Sequence, residues 1–111
     1  MARKKNLDRT ELLVLALLSR EDLYGYQMIA ELDRQSNHTF SMKEGTLYPV
    51  LHSLENAGAV SSYRAASTAG KERKYYHLTR AGLALLQEEQ QDWQEYSAAV
   101  NAVLQNALNP A

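Results

Sequence analysis

The chain has 111 residues, is 45% hydrophobic and 23% charged, and carries a formal net charge of −1 with no Cys. A chain of this size supports one core rather than two independent domains. The lack of Cys excludes a disulfide framework, a thiol nucleophile and a Cys-built zinc site. No apolar run approaches the roughly 18–20 residues of a membrane span, and the basic start MARKKNLDRT lacks the apolar stretch of a signal peptide. A cytoplasmic protein with no membrane partner is therefore expected.

Residues 7–19 read as a helix that Leu12, Leu13, Leu15, Ala16, Leu17 and Leu18 make apolar nearly all round, as a central helix is. Arg20-Glu21-Asp22 breaks it. Residues 24–36 predict a second helix, with Tyr24, Met28 and Leu32 recurring every four positions. Gly25 near its start lowers helix propensity, so a neighbour is expected to pack closely there. Thr39-Phe40 reads as a short extended link. Ser41-Met42-Lys43-Glu44 has the spacing of a capping box and predicts a third helix over 42–57. In it Leu47, Val50, Leu51 and Leu54 face inward, and Gly58 stands where a C-terminal cap glycine belongs. Pro49 inside this helix would normally cost about 3 kcal/mol, so it needs a place in the first turns or at a bend.

The period then changes to two. Val60–Arg64 reads as a strand, Ala65–Gly70 as a turn of small residues and Arg73–Leu78 as a second strand, which together make a hairpin. Tyr75 and Tyr76 are expected to pack within it. Thr79 is a good N-cap for a last helix running to Leu108, before Asn109-Pro110 stops it. Thirty residues of helix extend roughly 45 Å, so part of this element must project and find a partner. Leu86, Trp93, Val100 and Ala107 repeat every seven residues, flanked by Tyr96, Val103 and Leu104 and interrupted by Gln90 and Ser97. Residues 81–111 hold four acids and no Lys or Arg, so the first 80 hold all 12 bases against the other nine acids.

Three helices, a hairpin and a long helix form the layout of a mainly α (α+β) winged helix-turn-helix. Residues 1–78 would be the DNA-binding domain, with a two-stranded wing, and residues 79–111 the dimerisation helix. The third helix would enter the major groove, with the wing beside the backbone. Lys43 stands in its first turn, and Thr46, Tyr48 and His52 lie on its face away from the leucines; Lys71, Arg73 and Lys74 supply the wing with phosphate-binding charge. Arg3-Lys4-Lys5 is a further candidate arm. Tyr48 either reaches DNA or packs under the second helix. Gly45 permits either a close approach to DNA or tight helix packing. His38, His52 and His77 are scattered over loop, helix and strand, no catalytic or nucleotide-binding motif occurs, and no enzyme, cofactor or metal site is expected. A winged-helix module for protein partners, or a mainly sensory protein, remains open, because fold alone does not decide function.

Tyr24-Gly25-Tyr26, then Glu44-Gly45-Thr46-Leu47-Tyr48-Pro49-Val50-Leu51 with Leu54-Glu55 and Gly58, then Arg73-Lys74-Tyr75-Tyr76-His77-Leu78-Thr79 with Gly82, resemble the PadR family of bacterial transcriptional regulators over roughly residues 10–83. The single helix after the wing is similar to the family's short, multidrug-sensing branch. The resemblance implies a homodimeric repressor on a palindromic double-stranded DNA operator, often at its own promoter or beside a transporter gene. It assigns Thr46, Tyr48 and Pro49 to the recognition helix and Arg73 and Lys74 to the wing. It also implies release by a small aromatic or hydrophobic inducer held between two Trp93 rings and lined by Leu12 and Ala16, with Leu86 and Glu89 adjoining. Glu89, Gln90 and Ser97 make this slot more polar than the multidrug pattern, which suits a cationic aromatic.

Overall fold

The computed structural model describes residues 9–108; Arg3, Lys4, Lys5, Asn109 and Pro110 lie outside the described residues. The first helix, α1 (Thr10–Leu18), buries Val14, Leu15, Leu17 and Leu18 and runs through the middle of the core. Against the predicted 7–19 it stops one residue early, and Arg9 precedes it with a left-handed backbone; Leu7 and Asp8 lie outside the described residues. After it, Leu23 and Tyr24 form a two-residue strand, β1, which the sequence pattern placed partly in the following helix. The second helix, α2 (Gly25–Gln35), therefore begins one residue late. Gln27 turns back to accept the Tyr24 amide at 3.1 Å, which ties strand to helix at the join.

Ahead of the link to the third helix the chain reverses, with Asn37 and His38 both in left-handed backbones, at φ 55° and 66°. The third helix, α3, spans Glu44–Asn56, and its N-cap is Lys43, not Ser41. The expected capping box is absent because Lys43 is extended, at φ −103° and ψ 159°, which lets Met42 reach the core from outside the helix. Pro49 sits in the second turn, where it supplies no amide to the carbonyl of Gly45, an exposed residue. The C-terminus closes as a Schellman motif. Gly58, at φ 78°, donates to Glu55 and Ala59 donates to Leu54, at 3.0 and 2.9 Å.

Strands β2 (Val60–Ala66) and β3 (Glu72–Leu78) pair antiparallel from Val60↔Leu78 to Ala66↔Glu72. Both are longer than predicted, which shortens the loop to residues 67–71. β1 adds to the other edge of β3, through Leu23↔Tyr76 and Tyr24↔Tyr75, so the sheet has three strands in the order β1-β3-β2. Its inner face carries Leu23, Val60 and Tyr76 onto a core of Leu15, Met28, Leu47, Leu51 and Leu54.

The last helix, α4, runs from Arg80 to Leu108. Thr79 caps it as predicted, accepting the Gly82 amide at 3.0 Å. The same hydroxyl donates to the Gly58 carbonyl at 2.6 Å, with the Ala59 carbonyl at 2.9 Å. Side chain and cap thus fasten the helix to the turn between α3 and β2. Leu85 and Leu86 pack on the core, but Gly82 is the one fully buried residue of α4. The rest projects, and the molecule measures 62 × 35 × 23 Å.

Candidate nucleic-acid interface

The helix α3 separates its residues by face. Leu47, Leu51 and Leu54 point inward, whereas Lys43, Gly45, Thr46, Pro49 and His52 are exposed on the outer side. A Cβ built on Gly45 would meet no atom within 4 Å, so tight helix packing is not what this glycine serves. Tyr48 behaves differently from its neighbours. It is half-buried, and its phenol end lies against Gly25, where a Cβ would collide with it. This is the close neighbour that Gly25 implied. Burial foremost, with the nearby Glu44 carboxylate, holds the Tyr48 phenol above its ordinary pKa of 10.0.

The wing stands beside this face. Lys71 is exposed in the loop and Lys74 on β3, with the Lys74 ammonium 5.5 Å from the Tyr76 ring. The two neighbouring basic residues of β3 point to opposite faces, as strand alternation requires. Arg73 lies on the outer face with its guanidinium 5.1 Å from the Tyr24 ring. Its Nε atom is buried and has no hydrogen-bond partner. Arg64 is a wing residue that sequence reading missed. The register sets it directly opposite Lys74, and both are exposed. Two cations facing each other across a strand pair destabilise a hairpin unless an anion joins them. The signal was present in the hairpin spacing, but it emerges only once the register is known.

Between the starts of α2 and α3 and the β3 edge lies a cavity of about 250 Å³, lined among others by Tyr24, Tyr48, Arg73 and Lys74. On the sheet's outer face Tyr75 meets Tyr24 edge-on at 5.4 Å and stacks on Tyr63 at 5.6 Å. Tyr63 donates to the Asp22 carboxylate at 2.6 Å, and His77 Nδ1 lies 2.9 Å from its other oxygen. Burial alone would raise the Asp22 pKa; the Tyr63 and His77 hydrogen bonds outweigh it and hold it below its ordinary 3.8.

The other group of predicted residues lies on and beside α4. Leu86 and Glu89 are half-buried, and Leu86 packs on its own chain's core. Leu12 is half-buried on α1 and Ala16 exposed. Beyond them Trp93 is 41%, Tyr96 46% and Leu104 51% exposed, and Val100, Val103 and Ala107 also face solvent. Leu108, exposed as well, extends the strip. Sequence reading also missed Arg9. Its guanidinium carbon lies 5.2 Å from the Trp93 ring and 5.3 Å from the Tyr96 ring.

Residues 14–88 match the transcriptional regulator PadR-like family. A PadR-like transcriptional regulator from Bacillus cereus superposes with a TM-score of 0.78 at 34% identity, covering 88% of this chain and 93% of that one. A PadR family transcription regulator from Clostridium difficile gives 0.74 at 33% identity, covering 86% and 98%. The transcriptional regulator Rv3488 of Mycobacterium tuberculosis is 36% identical over 80 residues, 71% of this chain and 70% of that protein.

Proposed function

The chain belongs to the PadR-like family of transcriptional regulators, and from that premise we propose that it acts as a homodimeric, ligand-responsive repressor on a palindromic operator. The observation that carries the DNA surface is the outer face of α3: Lys43, Gly45, Thr46, Pro49 and His52 are all exposed on a helix whose leucines are fully engaged in the core. Lys43, Thr46 and His52 offer hydrogen bonds to base edges or phosphates. Gly45 lets the backbone approach without a side chain. Lys71, Lys74 and Arg64 lay positive charge on the flanking backbone. Arg73, turned under Tyr24, reaches phosphate from the outer side of the wing, and Tyr48 chiefly holds α3 on α2.

The projecting strip Trp93, Tyr96, Val100, Val103, Leu104 and Ala107 is the surface for a second copy. Two copies joined there would set their α3 helices about one turn of DNA, roughly 34 Å, apart. A small aromatic or hydrophobic effector between the protomers, near Trp93, Glu89, Leu86, Leu12 and Ala16, would change that spacing. It shifts the balance only by its differential affinity for the two arrangements.

The test is an equilibrium titration of the protein against its own upstream DNA and against the same DNA shuffled, at about 50 and 200 mM salt. With five wing and helix cations per protomer (Lys43, Arg64, Lys71, Arg73 and Lys74), selective binding should weaken by about 10³–10⁵ between the two salts. Binding indifferent to sequence, or none at either salt, would turn the α3 face into a surface for a protein partner.

A further inference from the structure

The outer face of the wing sheet carries one continuous row of contacts that ends on Arg73. Tyr24 of β1 and Tyr63 of β2 both stand opposite Tyr75 in the register, so three rings form a single rung across all three strands. Tyr75 meets Tyr24 at 87° and lies nearly parallel to Tyr63, at 13°, and ring pairs favour both arrangements. Arg73 precedes Tyr75 by two residues and so projects from the same face, with its guanidinium 5.1 Å from the Tyr24 ring. At the other end the Tyr63 hydroxyl donates to Asp22, whose second oxygen meets His77. The row therefore runs Asp22, Tyr63, Tyr75, Tyr24, Arg73. Arg73 Nε is buried and makes no hydrogen bond, and among the described residues no carboxylate is paired with the guanidinium. What fixes this long side chain is thus the ring, and what fixes the ring is the row behind it. An arginine held this way keeps its charge for another partner and has already given up the freedom that a new contact would cost.

We propose that Tyr24 is a positioning residue for DNA binding: its ring presets Arg73 for a backbone phosphate, and Asp22, Tyr63 and Tyr75 hold the ring in place. This rests on the reading above that the α3 face and the wing bind DNA, and it deepens that reading by naming what sets the wing's half-buried cation. Tyr24 acts only through Arg73. Tyr24 is also the N-cap of α2, and with Arg73, Lys74 and Tyr48 it lines the cleft between the helix starts and the β3 edge. The preset charge therefore stands where wing and helices meet. Tyr63, on the far strand, affects DNA affinity by the same route.

The test is a double-variant cycle on the intact protein and its own upstream DNA at one salt concentration. Tyr24→Leu should weaken binding about fivefold and Arg73→Ala about tenfold. The double variant should bind no more weakly than Arg73→Ala alone, and Tyr24→Phe, which keeps the ring, should restore wild-type affinity. A purely structural role for Tyr24 would instead multiply the two losses, and that result overturns the proposal. A second measurement needs no DNA. The Arg73 Nε–H NMR resonance, identified by its loss in Arg73→Lys, should move in Tyr24→Leu, move less in Tyr63→Leu and stay in place in Tyr24→Phe. A resonance that Tyr24→Leu leaves unmoved overturns the proposal as well. A wild type indifferent to DNA would overturn the DNA reading and this proposal together. Selective binding with multiplied losses or an unmoved resonance would overturn this proposal alone.

Discussion

Gly25 and Gly82 occupy points where the backbone passes too close to a neighbour for a Cβ. At Gly82 the obstacle is the Ala59 carbonyl, part of the backbone that Thr79 also grips. That group cannot yield, so Gly82→Ala should destabilise the fold by about 1–3 kcal/mol or more in a urea melt, although Gly→Ala within a helix usually stabilises by up to about 1 kcal/mol. At Gly25 the obstacle is the end of a side chain, Tyr48. Gly25→Ala should therefore cost less, and Tyr48→Phe should recover part of the loss; independent, additive effects would disprove the contact. Arg64 makes a different kind of demand. Its place opposite Lys74 is unfavourable in the free protein. Arg64→Ala should leave stability unchanged or raise it by about 0.2–1 kcal/mol, while lowering the slope of log affinity against log salt by about one per protomer.

Among the elements, the wing sheet depends on a clamp at its β1 edge. Asp22, just before β1, holds Tyr63 of β2 and His77 of β3 at once. Because its pKa is lowered on folding, its contribution is fully present above the ordinary value of 3.8 and is lost as pH falls through the lower folded value. The stability gap between wild type and Asp22→Asn should thus shrink as pH falls below about 4; a gap that widens over that acid range contradicts this reading. The same clamp shows where sequence reading stops. The leucine stripe of α3, the Gly58 C-terminus and the Thr79 cap were legible because each is encoded within a few residues. β1 was not, since two residues carry no period and their strand partners lie some fifty positions away. The start of α3 was misplaced at Ser41 because a locally good capping box lost to the burial of Met42. In the candidate site, the exposed α3 positions followed from the helical period, whereas Arg64 and Arg9 became visible only through strand register and the return of α4 past the start of α1.

At the scale of the whole molecule, α4 leaves an apolar strip in water that one chain does not cover. Val103 and Leu104 are 68% and 51% exposed, an arrangement that marks an interaction surface. Val103→Glu with Leu104→Glu should convert a particle of twice the 12.5 kDa chain mass into a single chain in sedimentation, with the core intact by circular dichroism. Operator affinity should fall by about 10²-fold or more, since two linked half-sites become separate binding events. In the proposed arrangement, two copies present two α3 helices to one stretch of DNA. Hydroxyl-radical footprinting of the protein on its upstream region tests it most directly. Two equal protected patches related by a two-fold axis and centred about 10 base pairs apart, with two chains bound per site, are the predicted result. A single patch bound by one chain would contradict it.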